Sequence, residues 1–156
     1  MQKQTKVSII LKFVFLTAII MALIFFLKYL ILEVVIGDKA EFSTKLLTFT
    51  PILNTGAAFS ILTSHTNLLI YLSVFVLVGI TYWVVYYSFT LSRLELVSVS
   101  LLAAGVFLNL YERVTLGYVI DYIKLNFISF PIFNFSDVSI VLGAVLYIII
   151  LYSKRD

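Results

Sequence analysis

Two aspartates stand out in a chain that carries little charge. Asp121 lies within the apolar run YVIDYI, and Asp137 directly precedes the run VSIVLGAVLYIIILY. An ionised carboxylate beside hydrocarbon costs free energy unless hydrogen bonds or opposite charges compensate for it. If the two carboxyl groups lie close together, they share a proton, so that one can activate a water molecule while the other polarises a carbonyl group. The pair is therefore the first candidate for chemistry.

Each aspartate also has a purely structural interpretation, and spacing alone does not decide between the two. Asp137 could be a helix N-terminal charge that the helix dipole favours, and Asp121 could be an exposed loop acid. Neither the Asp-Thr/Ser-Gly motif of soluble aspartic proteases nor the Gly-x-Gly-Asp motif of presenilin-type enzymes surrounds these residues.

Further polar residues occur at helical spacing near both aspartates. Asn109 and Arg113 are four residues apart, and Asn134 and Asp137 are three apart, so each pair can share a helix face. Arg113 can donate two hydrogen bonds to a carboxylate or a carbonyl, or it can anchor the helix at the membrane interface. Asn134 can equally be a simple helix cap. Four polar residues that converge at one membrane depth favour a functional site.

Three more residues, Asn54, Gly56 and Lys28, have a functional and a structural interpretation. In the segment NTGAAFS, Asn54 and Gly56 form either a turn or a backbone stretch that approaches a ligand closely, which glycine permits. Lys28, near the end of the first apolar segment, either extends to the interface or faces inward and tunes the site.

Composition places the protein in a membrane. The chain of 156 residues is 62% hydrophobic and 12% charged, whereas a soluble domain carries about 25% charged residues. We expect a single membrane domain over residues 1–156. With no cysteine and one histidine, a zinc or iron–sulfur site is improbable, and we expect neither a metal nor a cofactor. The net charge of +3 forms no basic stripe with interleaved aromatic residues, which argues against nucleic-acid binding.

Hydropathy predicts an all-α membrane protein with four transmembrane helices, since a span needs about 20 mostly apolar residues. The predicted helices cover residues 9–32, 67–90, 94–113 and 136–152. The segment between the first two helices covers residues 37–66, and the segment between the last two covers residues 115–135, so both lie on the same side of the membrane. In the first of these segments, Thr and aromatic residues around a Pro-Asn-Gly break predict a strand pair, Lys45–Phe49 and Ala57–Ile61. In the second, Tyr118–Leu125 is predicted to be extended.

The distribution of basic residues predicts the orientation. An even number of spans places both termini on one side, together with six basic residues: Lys3, Lys6, Lys12, Arg93, Lys154 and Arg155. The opposite side carries fewer basic residues and most of the acidic ones. The positive-inside rule therefore places the termini in the cytoplasm and both candidate aspartates at the exterior end of the membrane.

At this point the chain resembles the lipoprotein signal peptidases, the signal peptidase II family. The resemblance rests on a lysine that ends helix one, on N-x-G-A-A-F-S, on N-x-x-acid-R followed by G-x-V-x-D, and on F-P-x-F-N-x-x-D. These motifs lie in the family's order at Lys28, Asn54–Ser60, Asn109–Asp121 and Phe130–Asp137. The chain departs from the family at Ile24, four residues before Lys28, and at Glu112, directly before Arg113. The family usually has aspartate at both positions. Ile24 removes a polar partner that Lys28 would have on its own helix.

The resemblance implies an intramembrane aspartyl endopeptidase of the bacterial cytoplasmic (inner) membrane that works without a cofactor, as a monomer among membrane lipids. It would remove signal peptides from prolipoproteins that carry a diacylglyceryl group. Asp121 and Asp137 would be the catalytic pair, and the exterior segments would form a small β-sheet cradle and an interfacial flap. The supporting residues would be Asn54, Gly56, Asn109, Arg113, Asn134 and Lys28. The alternative is a non-catalytic membrane paralogue that binds lipoproteins, or a small scaffold or transport subunit, although such a paralogue should have lost an aspartate.

Overall fold

The computed structural model describes residues 5–56 and 65–154, so the predicted strand Ala57–Ile61 lies outside the described residues. Four helices are long and apolar enough to cross a membrane, which confirms the predicted fold class. They are α1 (Lys6–Tyr29), which continues as a π-helical segment (Leu30–Ile36), α2 (Thr66–Tyr86), α3 (Arg93–Leu116) and α4 (Phe135–Ser153).

The helix ends differ from the predicted ones by a few residues, for local reasons. The first span continues to Ile36 because its last part is π-helical, and it ends at Gly37, whose φ of +54° suits glycine. The second helix ends at Tyr86, four residues before the predicted end. The third extends to Leu116 and is closed by Gly117 with φ of +84°.

α3 is the central helix, because it packs against α1, α2 and α4. Its approach to α4 depends on two glycines. A methyl group on Gly105 would lie 2.4 Å from the backbone oxygen of Ser136, and one on Gly143 would lie 2.8 Å from that of Ser98. Ser98 Oγ donates a hydrogen bond of 2.8 Å to the Gly143 carbonyl. Small residues at a helix–helix interface permit this close approach within a membrane.

Within the described residues, the connections between α1 and α2 and between α3 and α4 form a three-stranded antiparallel sheet in the order β1-β2-β3. The strands are β1 (Phe42–Ser43), β2 (Leu47–Asn54) and β3 (Val119–Leu125). Residues 47–49 of the predicted strand Lys45–Phe49 belong to the longer strand β2, and the predicted break at Pro51 is wrong. β2 continues through Pro51 because the register shifts between Phe49 and Ile52, which accommodates a residue without an N–H.

The connection from α3 to α4 places both aspartates at the same end of the helices. Gly117 turns the chain from α3 directly into β3, which carries Asp121. Phe133 then pairs with Ile123 on the other side of β3. α4 begins two residues later and has Asp137 in its first turn.

Candidate active site

The pairing of β2 with β3 brings Asn54 to Asp121. Ile52 is opposite Asp121 in the sheet, and Asn54 is opposite Val119. The side chain of Asn54 therefore lies on the same strand face as that of Asp121. Its Nδ2 donates a hydrogen bond of 2.8 Å to Asp121 Oδ2.

Asn134 connects the two aspartates. Its Nδ2 donates to Asp121 Oδ1 at 2.7 Å. Its Oδ1 accepts from the backbone N–H of Asp137 at 3.0 Å, and Asp137 Oδ2 accepts from the backbone N–H of Asn134 at 3.1 Å. This reciprocal pair is a capping box at the start of α4. One amide thus caps the helix and holds the carboxylate of the strand beside the carboxylate of the helix.

Asn109 holds the other oxygen of Asp137. Its Nδ2 donates a 2.8 Å hydrogen bond to Asp137 Oδ1, and its Oδ1 accepts from Asn134 Nδ2 at 3.3 Å. Asn109 is buried on α3, where its amide would be unsatisfied without these contacts. All four carboxylate oxygens of the two aspartates therefore accept a hydrogen bond from an asparagine side chain or from the backbone of one.

Arg113 lies one turn after Asn109 and links the helix to the end of β2. Its Nη2 donates to the Gly56 carbonyl at 3.1 Å, and its Nη1 donates to the Asn109 carbonyl at 3.4 Å. The Gly56 N–H in turn donates to Asn54 Oδ1 at 2.9 Å. Arg113 Nε is buried, and no acceptor in the described part of the chain binds it, so its N–H is one of the guanidinium donors left for another group.

Burial dominates the electrostatics of Asp121, which is 3% exposed. Desolvation raises the pKa of its carboxyl group to about 6, and the charge of Asp137 acts in the same direction. The hydrogen bonds from Asn54 and Asn134 and the charge of Arg113 lower this pKa and only partly offset the effect of burial. A carboxyl group with this pKa can gain or lose a proton near neutral pH.

The two aspartates border the same cavity, which has a volume of about 460 Å³. Asn54, Asn109 and Arg113 line its polar part. The rest of its wall is mainly apolar and is formed by the segment before α4 and by α4 itself: Phe130, Pro131, Ile132, Phe133, Val138, Ile140, Val141 and Leu142. The cavity therefore places two carboxyl groups, an arginine and an apolar wall around one ligand-sized space.

The sequence and the fold both match known proteins. A model of the family described as signal peptidase (SPase) II matches residues 16–153. The chain belongs to the signal peptidase II family. The resemblance noted from the motifs is thereby confirmed, and the protein is a bacterial membrane protease by family.

Individual signal peptidase II proteins match most of the chain. The lipoprotein signal peptidase of Enterococcus faecalis is 35% identical over 76% of this chain and 73% of its own length. That of Clostridium novyi is 31% identical over 74% of this chain and 79% of its own length. A bacterial membrane enzyme solved by the in meso method at 2.3 Å resolution superposes with a TM-score of 0.79, at 29% identity, over 92% of this chain and 89% of the other.

In this signal peptidase II, the structure brings together every residue predicted for the site except Lys28. Within the described residues, Lys28 Nζ hydrogen-bonds Glu112 Oε1 and none of the polar groups around the aspartates. Ile24 is buried next to it and offers no polar partner, but Glu112 on α3 replaces that partner. Glu112 is the acid of the N-x-x-acid-R motif, but sequence reasoning gave it no role in the site, although its position beside Arg113 and three residues after Asn109 could have indicated one.

Proposed function

We propose that the protein is an aspartic endopeptidase that removes the signal peptide from diacylglyceryl-modified prolipoproteins. The observation that carries the proposal is the single amide of Asn134, which joins Asp121 and Asp137 at the edge of one cavity. A pair of carboxyl groups held this way suits the chemistry of peptide hydrolysis without a covalent intermediate.

In the proposed reaction, one carboxylate of the pair accepts a proton from a water molecule as that water attacks the scissile carbonyl carbon. The other carboxyl group, which is protonated, donates its hydrogen bond to the carbonyl oxygen and stabilises the negative charge that develops there. Collapse of the tetrahedral intermediate breaks the C–N bond, and the leaving amine takes a proton from the pair. Asn54, Asn109 and Asn134 keep both carboxyl groups oriented throughout.

The remainder of the cavity suits the rest of the substrate. Arg113, whose guanidinium has N–H donors that no described acceptor binds, can donate to a backbone carbonyl of the substrate. The apolar wall, which includes Ile140 and Val141 on α4, accepts hydrocarbon from the membrane side. We place the site at the exterior leaflet of the bacterial cytoplasmic membrane, with both termini in the cytoplasm, and we propose that one monomer suffices because both aspartates come from one chain.

The decisive experiment is cleavage of a diacylglyceryl-modified precursor, measured as a mobility shift on a gel. The variants Asp121→Asn and Asp137→Asn should each lose cleavage almost completely, a fall of at least about a thousandfold, because neither can supply a carboxylate to the pair. Both should still be recovered as folded protein, since asparagine has nearly the same shape.

Asp38→Asn is the matched control. Asp38 is exposed after the end of the first span and lies in none of the contacts described above, so this variant should cleave at the wild-type rate. Full cleavage by either Asn variant of the pair would refute the aspartate mechanism. A wild-type protein that bound the precursor without cutting it would instead support the non-catalytic alternative.

A further inference from the structure

Glu112 joins three elements near the candidate catalytic pair. Its Oε1 lies 2.5 Å from Lys28 Nζ at the end of α1, and its Oε2 accepts a 2.8 Å hydrogen bond from the backbone N–H of Ile120. Both charged side chains are largely buried, with exposed fractions of 18% for Lys28 and 15% for Glu112. The carboxylate therefore connects α1 and α3 to the strand that carries Asp121.

The hydrogen bond to Ile120 satisfies a backbone N–H near the start of β3. On one side β3 pairs with β2, and on the other side Phe133 accepts from the N–H groups of Tyr122 and Ile123. The N–H of Ile120 donates to the Glu112 carboxylate. A partly buried N–H without an acceptor would destabilise the folded state, and a shift of the strand that exposed it to another acceptor would be favoured.

The last turns of α3 thus contact every element that holds the site. Asn109 binds Asp137 of α4, and Arg113 binds the Gly56 carbonyl after β2. Glu112 provides the corresponding contact to β3, one residue before Asp121. Without it, the strand that carries one aspartate would be joined less firmly to the helix that orients the other.

We propose that Glu112 is a positioning residue for the peptidase reaction, which fixes Asp121 relative to Asp137 through its hydrogen bond to the Ile120 N–H. Lys28 pairs with the Glu112 carboxylate and orients it, and does not itself take part in the site. This inference rests on the proposed function, because it concerns the geometry of the same pair of aspartates. Glu112 is not a member of the pair and is not among the residues that line the cavity.

Two double variants isolate the hydrogen bond from the ion pair. In Lys28→Met/Glu112→Gln, the glutamine oxygen can still accept from Ile120, and no buried charge is left without a partner. In Lys28→Met/Glu112→Ala, the acceptor is lost in the same background. We expect kcat of the Gln variant to be within about threefold of wild type and that of the Ala variant to fall by about tenfold or more, with KM unchanged within about twofold.

The second ion pair of the described chain, Glu95 with Lys154, is a matched control at the opposite end of α3. Glu95 Oε1 lies 2.9 Å from Lys154 Nζ, and Glu95 Oε2 accepts a 2.8 Å hydrogen bond from the Ser92 N–H. The two glutamates are about 25 Å apart along the helix. Lys154→Met/Glu95→Ala should therefore lower thermal stability without changing kcat, which is the pattern of a purely structural carboxylate.

Hydrogen exchange at β3 provides a readout that does not depend on activity. The Ile120 amide should exchange at least about tenfold faster in Lys28→Met/Glu112→Ala than in Lys28→Met/Glu112→Gln. Equal kcat values for these two variants, after correction for folded protein, would overturn the positioning role, and so would equal exchange rates. Absence of cleavage by the wild type would overturn the proposed function, and the exchange rates would then still decide whether Glu112 holds the strand.

Discussion

At the scale of single residues, Asn134 combines two contacts that its sequence position allowed. Its spacing from Asp137 predicted either a helix cap or a part of the site, and in the structure the same side chain caps α4 and donates a hydrogen bond to Asp121. Side-chain identities and helical spacing were enough to predict Asn109, Asn134 and Asp137 as neighbours. They could not indicate that Lys28 pairs with Glu112, because the two residues are 84 positions apart in the chain.

Burial of Asp121 also predicts how stability depends on pH. Since the fold raises the pKa of this carboxyl group from 3.8 to about 6, the folded state binds more protons than the unfolded state between these pH values. Stability therefore falls as pH rises through this range, by up to about 3 kcal/mol in total. Asp121→Asn has no such group, so its stability relative to wild type should increase between about pH 4 and pH 7.

Thermal unfolding in detergent across that pH range measures the difference. The variant also loses one of the two amide hydrogen bonds to residue 121, which lowers its stability by about 1 kcal/mol at every pH. The informative quantity is therefore the change of the difference with pH and not its value at one pH. A difference that stays constant or decreases with rising pH would contradict the effect of burial on Asp121.

At the scale of helices and strands, the positions of the membrane-spanning helices were easier to predict than the pairing of the β-strands. A helix is determined by about 20 consecutive apolar residues, which hydropathy detects directly. The partner of β2 is β3, with Phe49 opposite Ile123, and nothing in the local pattern of either strand specifies a partner more than 70 residues away. The prediction of strand character for Tyr118–Leu125 was correct to within a residue, but its place in the sheet required the structure.

The contact between α3 and α4 leads to a prediction about Gly105. An alanine methyl group there would clash with the backbone oxygen of Ser136 at 2.4 Å and with Ile140 Cγ1 at 2.7 Å. α4 would have to move away from α3 at its first turn, which carries Asp137. We expect Gly105→Ala to lose about 1–3 kcal/mol of stability and to lower kcat by about tenfold or more, because Asp137 would separate from Asn109.

Gly79→Ala is the matched control for this substitution. Gly79 lies in α2, and no atom of the described residues lies within 4 Å of the position where its methyl group would be. Alanine is also the better helix former, by about 0.5–1 kcal/mol. Thermal unfolding and cleavage should therefore give a neutral or slightly stabilised, fully active Gly79→Ala protein. A Gly105→Ala protein that was equally stable and active would show that the two helices can separate without consequence for the site.

At the scale of the whole molecule, the two ends of the helices differ in character. One end holds the turn between α2 and α3, the start of α1 and the end of α4, where Lys6, Lys12, Arg93 and Lys154 are found. The other end holds the sheet, the cavity and both candidate catalytic aspartates. Most acidic residues lie at this second end, whereas basic residues occur at both ends, so our proposed orientation rests on the small excess of basic residues at the first end.

Single-cysteine labelling can test this orientation directly, because the chain contains no cysteine. We choose two exposed positions at opposite ends, Thr90 in the turn between α2 and α3 and Lys39 after the first span. In intact spheroplasts, a membrane-impermeant maleimide should label Lys39→Cys and leave Thr90→Cys unmodified until the membrane is permeabilised. The reverse pattern would place the aspartates on the cytoplasmic side, where the positive-inside rule would be violated and the substrate would have to be cut before export. Retained cleavage of the precursor by both variants is the control for correct folding, since neither side chain contacts the site.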